Sequence, residues 1–290
     1  MSFLQFARAH GVEIGDLVAS DRIHRCATVD KPRSRNGAFF WDGARGWVFD
    51  WSGEAKTFWY DDPNAKPWTD AEKRAMALQR QTASAEIERK RENAALQAAM
   101  LLRTTVPGPH DYLIRKGLRD TQGLCLPDGG LLVPMRNLST NDLQGAQIIR
   151  WLPEEMRWEK KMVHGMRAKG AVLRLGPKAA RETFLCEGYA TDLSIEIAAR
   201  QMRLSVDVLI CFSDSNLVHV AELLTASKTP RYVFADNDKS GAGERAAKES
   251  GLPYCMSEVV GEDANDTHVR AGVMAVACLL MKARRQRSFA

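Results

Sequence analysis

Arg231-Tyr-Val-Phe-Ala-Asp236-Asn-Asp238-Lys-Ser-Gly241-Ala-Gly243 is a hydrophobic run that ends in two acids one residue apart and then breaks into glycines. Aromatic and β-branched residues favour a strand, where side chains alternate faces, so Asp236 and Asp238 are expected to point the same way at the strand's carboxyl end. Open α/β sheets place their ligands at that end. Two neighbouring carboxylates repel unless a cation lies between them, and hard oxygen donors suit Mg²⁺ or Mn²⁺. The pair reads as a metal site.

Two further stretches repeat the pattern. Thr183-Phe-Leu-Cys-Glu187-Gly188-Tyr-Ala-Thr-Asp-Leu-Ser194 is a short apolar strand ending in an acid, then a glycine that opens a helix running to about Arg200. Gly261-Glu-Asp263-Ala-Asn-Asp266-Thr-His268 follows a predicted strand at residues 253–259. With strands at 206–212 and 231–235 and helices at 189–200, 217–225 and 243–250, residues 181–270 alternate strand and helix. That alternation predicts a parallel sheet covered on both faces. A last helix, about 267–285, carries Val273, Val276, Leu279 and Leu280 and is expected to pack on the core or a partner, ending in the basic tail Lys282-Ala-Arg-Arg-Gln-Arg287 of the 271–290 segment.

The rest of the chain divides by composition. Residues 1–68 hold Phe39-Phe-Trp41, Trp47-Val-Phe-Asp-Trp51 and Phe58-Trp-Tyr60, broken at Asp42-Gly43, Arg45-Gly46 and Ser52-Gly53, and read as a small antiparallel sheet. Its aromatics either form the module's core or, with Lys31, Arg33 and Arg35 beside them, stack the bases of single-stranded DNA. Thr69-Asp-Ala-Glu72 is a capping box opening a helix to about Arg103, with sparse apolar positions (Met76, Ile87, Leu96, Met100, Leu101), so residues 69–106 read as an exposed helical linker. Thr104-Thr-Val-Pro-Gly-Pro109 stops it. Residues 107–180 read as a short helix followed by strands at 131–135, 144–151 and 171–175.

At 290 residues, 45% hydrophobic and 27% charged, the chain suits two or more globular modules. No apolar run approaches the roughly 20 residues of a membrane span. The N-terminus lacks a signal peptide's layout, so a cytoplasmic protein with no membrane partner is expected. Six scattered cysteines, several inside apolar strands, read as free thiols. Net charge is +5, with a basic cluster (Arg150, Arg157, Lys160, Lys161, Arg167, Lys169) just before the acidic region, which fits a nucleic-acid partner.

Glu187-Gly188, then Asp236-x-Asp238, then the acidic loop 263–266, is similar to the Toprim domain of primases and topoisomerases. Cys186-Glu-Gly-Tyr-Ala-Thr-Asp-Leu-Ser194 and Phe234-Ala-Asp-Asn-Asp-Lys-Ser-Gly241 most resemble the Toprim primases of plasmids and phages, and the likeness extends back through Leu143-Gln-Gly-Ala-Gln-Ile-Ile149 and Gly130-Leu-Leu-Val-Pro-Met-Arg-Asn137 to Tyr112-Leu-Ile-Arg-Lys-Gly-Leu118. It covers about two thirds of the chain. Haloacid-dehalogenase-type phosphatases also carry an Asp-x-Asp, but on their first strand, which fits poorly here.

The resemblance implies an α/β fold in which a Rossmann-like Toprim domain (181–270) joins an α+β primase-core subdomain (107–180). It implies a primase that makes short RNA primers on single-stranded DNA from nucleoside triphosphates for a phage, plasmid or other mobile element in a bacterial host. A Toprim nuclease or a non-catalytic single-stranded-DNA adaptor is the alternative. Asp236 and Asp238 become metal ligands and Glu187 a ligand or a general base, while Asp263 or Asp266 binds a further metal. Arg136, Lys160, Lys161 and Lys239 meet nucleotide or DNA phosphates, which Gly188, Gly241 and Gly243 let approach. Replicative primases carry a zinc ribbon where residues 1–68 stand, but His24 and Cys26 supply at most two of four ligands, so no zinc is expected. No Gly-x-x-x-x-Gly-Lys-Ser/Thr loop occurs. A separate helicase is the expected partner for unwinding.

Overall fold

A computed structural model describes every residue except 21, 34, 52–55, 63–68, 178 and 287–290, and leaves the side chains at 72 and 76 undescribed. The Ser52-Gly53 turn, the Glu72 half of the capping box, Met76 and Arg287 therefore lie outside the described residues. The chain forms two compact units, Met1–Arg80 and Gln81–Ala290.

In the first unit, α1 (Phe3–Ala9) precedes β1 (Val12–Glu13), β2 (His24–Thr28), β3 (Gly37–Trp41), β4 (Arg45–Asp50) and β5 (Thr57–Asp61), which pair antiparallel in sequence order. Alternation sorts the aromatics into two sets, one in the module's core and one on the opposite face. Phe39 and Tyr60 pack with Phe3, Ala7, Val12 and Val48 beneath α1, and Phe3 stacks on Trp41 at 4.6 Å. Gly46 permits this: a Cβ there would stand 2.8 Å from the Phe3 ring. On the opposite face Phe40 stacks on Trp47, Trp47 pairs across strands with Trp59, and Trp59 is 68% exposed. His24 lies 2.5 Å from Ser20 Oγ and stacks on Phe39. The half-buried Cys26 thiol is pushed up to about 11 by burial.

Helix α2 (Asp70–Thr104) crosses the unit boundary. Its second half is not the exposed linker the composition suggested. Ala94 and Ala98 are buried against Leu126, Leu132, Ala146 and Val163, and Arg167 donates to both oxygens of Glu88. Two alanines four apart leave a flat stripe that sits close on a sheet, a signal that a count of large apolar residues passes over.

The second unit continues with β6 (Val106–Gly108), α3 (Asp111–Arg115), β7 (Gly123–Cys125), β8 (Leu131–Asn137), β9 (Leu143–Leu152), β10 (Arg157–Met162), β11 (Ala171–Leu175), β12 (Glu182–Cys186), α4 (Tyr189–Gln201), β13 (Val206–Ile210), α5 (Asp214–Leu223), β14 (Arg231–Ala235), α6 (Ala242–Glu249), β15 (Tyr254–Met256), α7 (Ala264–Ala271) and α8 (Val273–Gln286). One sheet runs β10-β9-β8-β11-β13-β12-β14-β15, with β7 joining β8 and β6 joining β7. Strand β11 is antiparallel to both β8 and β13, so the antiparallel strands of residues 107–180 and the parallel strands β13-β12-β14-β15 share one continuous sheet. Helices α4, α7 and α8 cover one face, over Phe184, Phe234 and Val208, and α5 and α6 cover the other, over Leu185, Leu209 and Val233.

Some boundaries differ from the sequence reading. The capping box between Asp263 and Asp266 starts a helix at Ala264, and Gly272, at φ 82°, separates it from α8 where one helix from 267 was expected. Ser213 accepts from the Asn216 amide and starts α5 at Asp214, three residues early.

Candidate active site

The chain leaves β12 for β13 on one side and resumes at β14 on the other, so the switch point of the parallel sheet lies between the carboxyl ends of β12 and β14, where such sheets bind ligands. Glu187 follows β12 and Asp236 follows β14. Phe212 N–H donates to the Glu187 carbonyl at 3.0 Å, and Phe212, at φ 65°, turns the chain from β13 into α5 with Asp214 at the helix start. The Asn237 side chain donates to the Ser257 carbonyl at 2.9 Å and its amide to the Glu262 carbonyl at 3.1 Å, which draws the loop carrying Asp263 to the end of β14.

These acids act on one another. The Asp236 carboxyl is pushed up to about 7, chiefly by burial and then by the charges of Asp263, Glu187 and Asp214. Burial raises Glu187 as well, reinforced by Asp214, with which its carboxyl shares a hydrogen bond. Asp214 is raised by burial and by Asp238. The Lys160 ammonium opposes the rise at both Glu187 and Asp236, so this lysine of β10 faces the cluster.

Asp238 departs from the expected pair. Strand β14 ends at Ala235, so strand alternation no longer governs the two acids. The Asp238 carboxylate turns into the start of α6 and accepts from the Ser240 amide (2.7 Å) and hydroxyl (2.5 Å), the Gly243 amide (3.0 Å) and the Ala242 amide (3.4 Å). These bonds hold it well below the usual carboxylate range. Asp236 couples to Glu187, Asp214 and Asp263 instead.

The other expected positions divide. Asp263 reaches the cluster while capping α7, whereas Asp266 is engaged by Lys116 at 3.2 Å and by the reciprocal cap. Lys161 pairs with Glu159 at 2.9 Å on the hairpin face opposite Lys160, Arg136 donates to the Asn141 carbonyl at 3.1 Å within its own turn, and Lys239 is exposed beside Asp238. Gly241 caps α6 at φ 68°, and a Cβ on Gly243 would stand 2.4 Å from the Asp236 carbonyl, so Gly243 lets α6 close on the strand end. Gly188 caps α4, and a Cβ there would stand 3.2 Å from the Thr191 hydroxyl. Asp214 was missed because the helix was started at Leu217. Its signal is Ser213-Asp-Ser-Asn216, a helix-start pattern directly after an apolar strand.

The donor set fits a hard divalent ion. The Asp236 Oδ1 is buried with no hydrogen-bond partner, an acceptor left open in a site of mutually repelling carboxylates. Among the described residues no three carboxylate, imidazole or thiolate groups are placed closely enough to hold a metal ion by themselves. An open arrangement of this kind suits Mg²⁺, which takes one or two carboxylates and completes its shell with water and substrate phosphates.

No protein-family description matches the chain, and no curated protein matches it. Among solved structures, the primase fragment of the bacteriophage T7 primase-helicase is similar over 90% of this chain and 98% of that one, at 13% identity and a TM-score of 0.38. A bacteriophage T7 lagging-strand DNA polymerase interacting with the primase domains of two gp4 subunits, bound to an RNA/DNA hybrid and dTTP, is similar over 53% of this chain and 76% of that one, also at 13% identity and a TM-score of 0.38. Among the described residues no helix is long and apolar enough to cross a membrane.

Proposed function

We propose that the chain is a primase that joins nucleotides on a single-stranded DNA template. The observation that carries this reading is the gathering of Glu187, Asp214, Asp236 and Asp263 at the switch point, with the Asp236 Oδ1 left without a hydrogen-bond partner. Asp236, with Glu187 and Asp263 beside it, would hold Mg²⁺ or Mn²⁺, and Asp238, held by the start of α6, would add its charge from the next turn. A bound divalent ion neutralises the triphosphate and favours ionisation of the attacking hydroxyl.

The chain's own residues supply the rest. Glu187, raised by burial, takes the proton of the primer's 3′-hydroxyl, and Asp214 accepts a hydrogen bond from it and fixes its orientation. Lys160 meets the charge of the triphosphate, and Lys239 meets the departing pyrophosphate. Asp238 keeps its charge at any working pH because four donors hold it. The exposed aromatic face of the first unit, with Arg25 3.8 Å above the Trp51 ring, captures the template by stacking.

Incubation with single-stranded DNA, labelled nucleoside triphosphates and Mg²⁺ or Mn²⁺ tests the reading. Short labelled products from the wild type and none from Asp236→Asn are expected. Degradation of the DNA with no new product would replace the primase with a nuclease.

A further inference from the structure

The two faces of the β9–β10 hairpin carry different chemistry. The register sets Trp151 opposite Trp158 and Ile149 opposite Lys160, so these four residues share one face, while Arg150, Arg157, Glu159 and Lys161 share the other. On the second face every cation is neutralised: Arg150 by Asp128 at 2.6 Å, Arg157 by Glu155 at 2.5 Å and Lys161 by Glu159 at 2.9 Å. On the first face, among the described residues, neither Lys160 nor the neighbouring Arg115 of α3 forms an ion pair.

Aromatic rings lie beside those unpaired cations. Trp158 meets Trp151 edge-on at 5.3 Å and Tyr112 at 5.3 Å, the Arg115 guanidinium lies 4.4 Å above the Trp151 ring, and the Lys160 ammonium lies 5.8 Å from the Tyr112 ring. Lys160 also lies within charge range of Glu187 and Asp236. Partly exposed indoles with unpaired cations match one class of partner, a strand whose bases stack and whose phosphates need positive charge. A folded protein surface would favour paired charges at the rim, which is what the opposite face has.

We infer that the Trp151–Trp158 face of the hairpin, with Arg115, is a stacking platform for single-stranded nucleic acid that ends at Lys160. The inference does not need the primase reading, since a nuclease or a binding protein would use the same surface.

Fluorescence anisotropy of a fluorescein-labelled oligodeoxythymidylate on the full chain tests it. Arg115→Ala and Trp151→Ala should each weaken binding about tenfold, while Arg157→Ala and Lys161→Ala on the opposite face change it less than about twofold. Arg115→Ala should also lower the slope of log affinity against log salt by about one, a readout that loss of packing would not give. Arg115 is exposed and its removal spares the core, so this variant decides the matter if Trp151→Ala unfolds. Equal weakening from both faces, or none from the first, overturns the platform. Weaker binding of a labelled nucleoside triphosphate with unchanged oligonucleotide binding reassigns the face to the nucleotide and overturns it too. Primer synthesis is not measured, so failure here is distinct from failure of the proposed reaction.

Discussion

The two ends of the parallel strands treat their acids in opposite ways. At the amino end, Glu182 of β12 receives Arg284 through two hydrogen bonds of 2.7 Å, and Asp207 of β13, its side chain 2% exposed, accepts from Arg174 and from the Thr183 hydroxyl at 2.6 Å. At the carboxyl end, Glu187, Asp214, Asp236 and Asp263 face one another, and burial pushes the first three up. The same sheet buries both sets, and burying a charge is costly unless a partner offsets it. One end has its counter-charges built in. The other, among the described residues, has Lys160 and Arg245 within charge range but no ion pair to its acids, the pattern expected where acids serve a site rather than hold the fold.

The largest effect should come from exchanging the roles. Asp236→Asn is expected to lower primer synthesis by at least about a thousandfold, the upper range for losing one group aimed at developing charge, with the circular dichroism spectrum and thermal transition intact. An active Asp236→Asn variant would place the chemistry elsewhere.

Metal-free stability should fall with pH because of the carboxyl end. An unfolded Asp loses its proton near 3.9, whereas folded Asp236 keeps its proton up to about 7. Between those values the native state binds more protons, so this contribution is full below about 4, falls as pH rises and levels off above about 7, a loss of roughly 4 kcal/mol. Denaturant titrations at pH 5 and pH 8 should show the fall. Asp236→Asn should reduce it, leaving the share of Glu187 and Asp214, and Mg²⁺ should reduce it at pH 8. A wild type equally stable at both would remove the strain from the carboxyl end.

At the amino end the acids hold the fold. Asp207→Ala leaves the Thr183 hydroxyl and the part-exposed Arg174 guanidinium without their partner, and should cost about 2 kcal/mol in urea unfolding while leaving the carboxyl end intact. The smallest contrast is between neighbouring lysines. Lys160→Ala should raise the KM for nucleoside triphosphate several-fold, roughly 1 kcal/mol for a partly screened charge, and Lys161→Ala, paired on the far face, should leave it unchanged.

Much of this layout was legible in the chain. Apolar runs ending at Glu187 and Asp236 mark strand ends, and alternation with helices marks a parallel sheet, whereas the strand order that puts a switch point between β12 and β14 appears only with the pairing. What was not legible depends on local turns. Asp238 lies three residues past the last strand residue, and a helix start, not the pleat, aims its carboxylate. Asp214 and Asp266 sit in first turns whose caps shift the helix starts by three residues, enough to put one acid into the cluster and the other onto Lys116. Lys160 and Lys161 could not be separated because Arg157-Trp-Glu-Lys-Lys-Met162 lacks an apolar alternation. It is an edge strand, where charge is favoured, and its facing appears only with the register to β9. The docking of α2 through Ala94 and Ala98 is hidden for a related reason, since small residues carry little hydropathy signal.

Mn²⁺ binding measured by electron paramagnetic resonance reads the difference between the two ends most directly. Titration into the wild type, Asp207→Asn and Asp236→Asn should remove free-ion signal for the first two, which keep the carboxyl end intact, and leave it for Asp236→Asn. Equal binding by Asp236→Asn and the wild type, or binding lost in Asp207→Asn while that variant remains folded, would contradict the assignment of the carboxyl-end acids as the metal site.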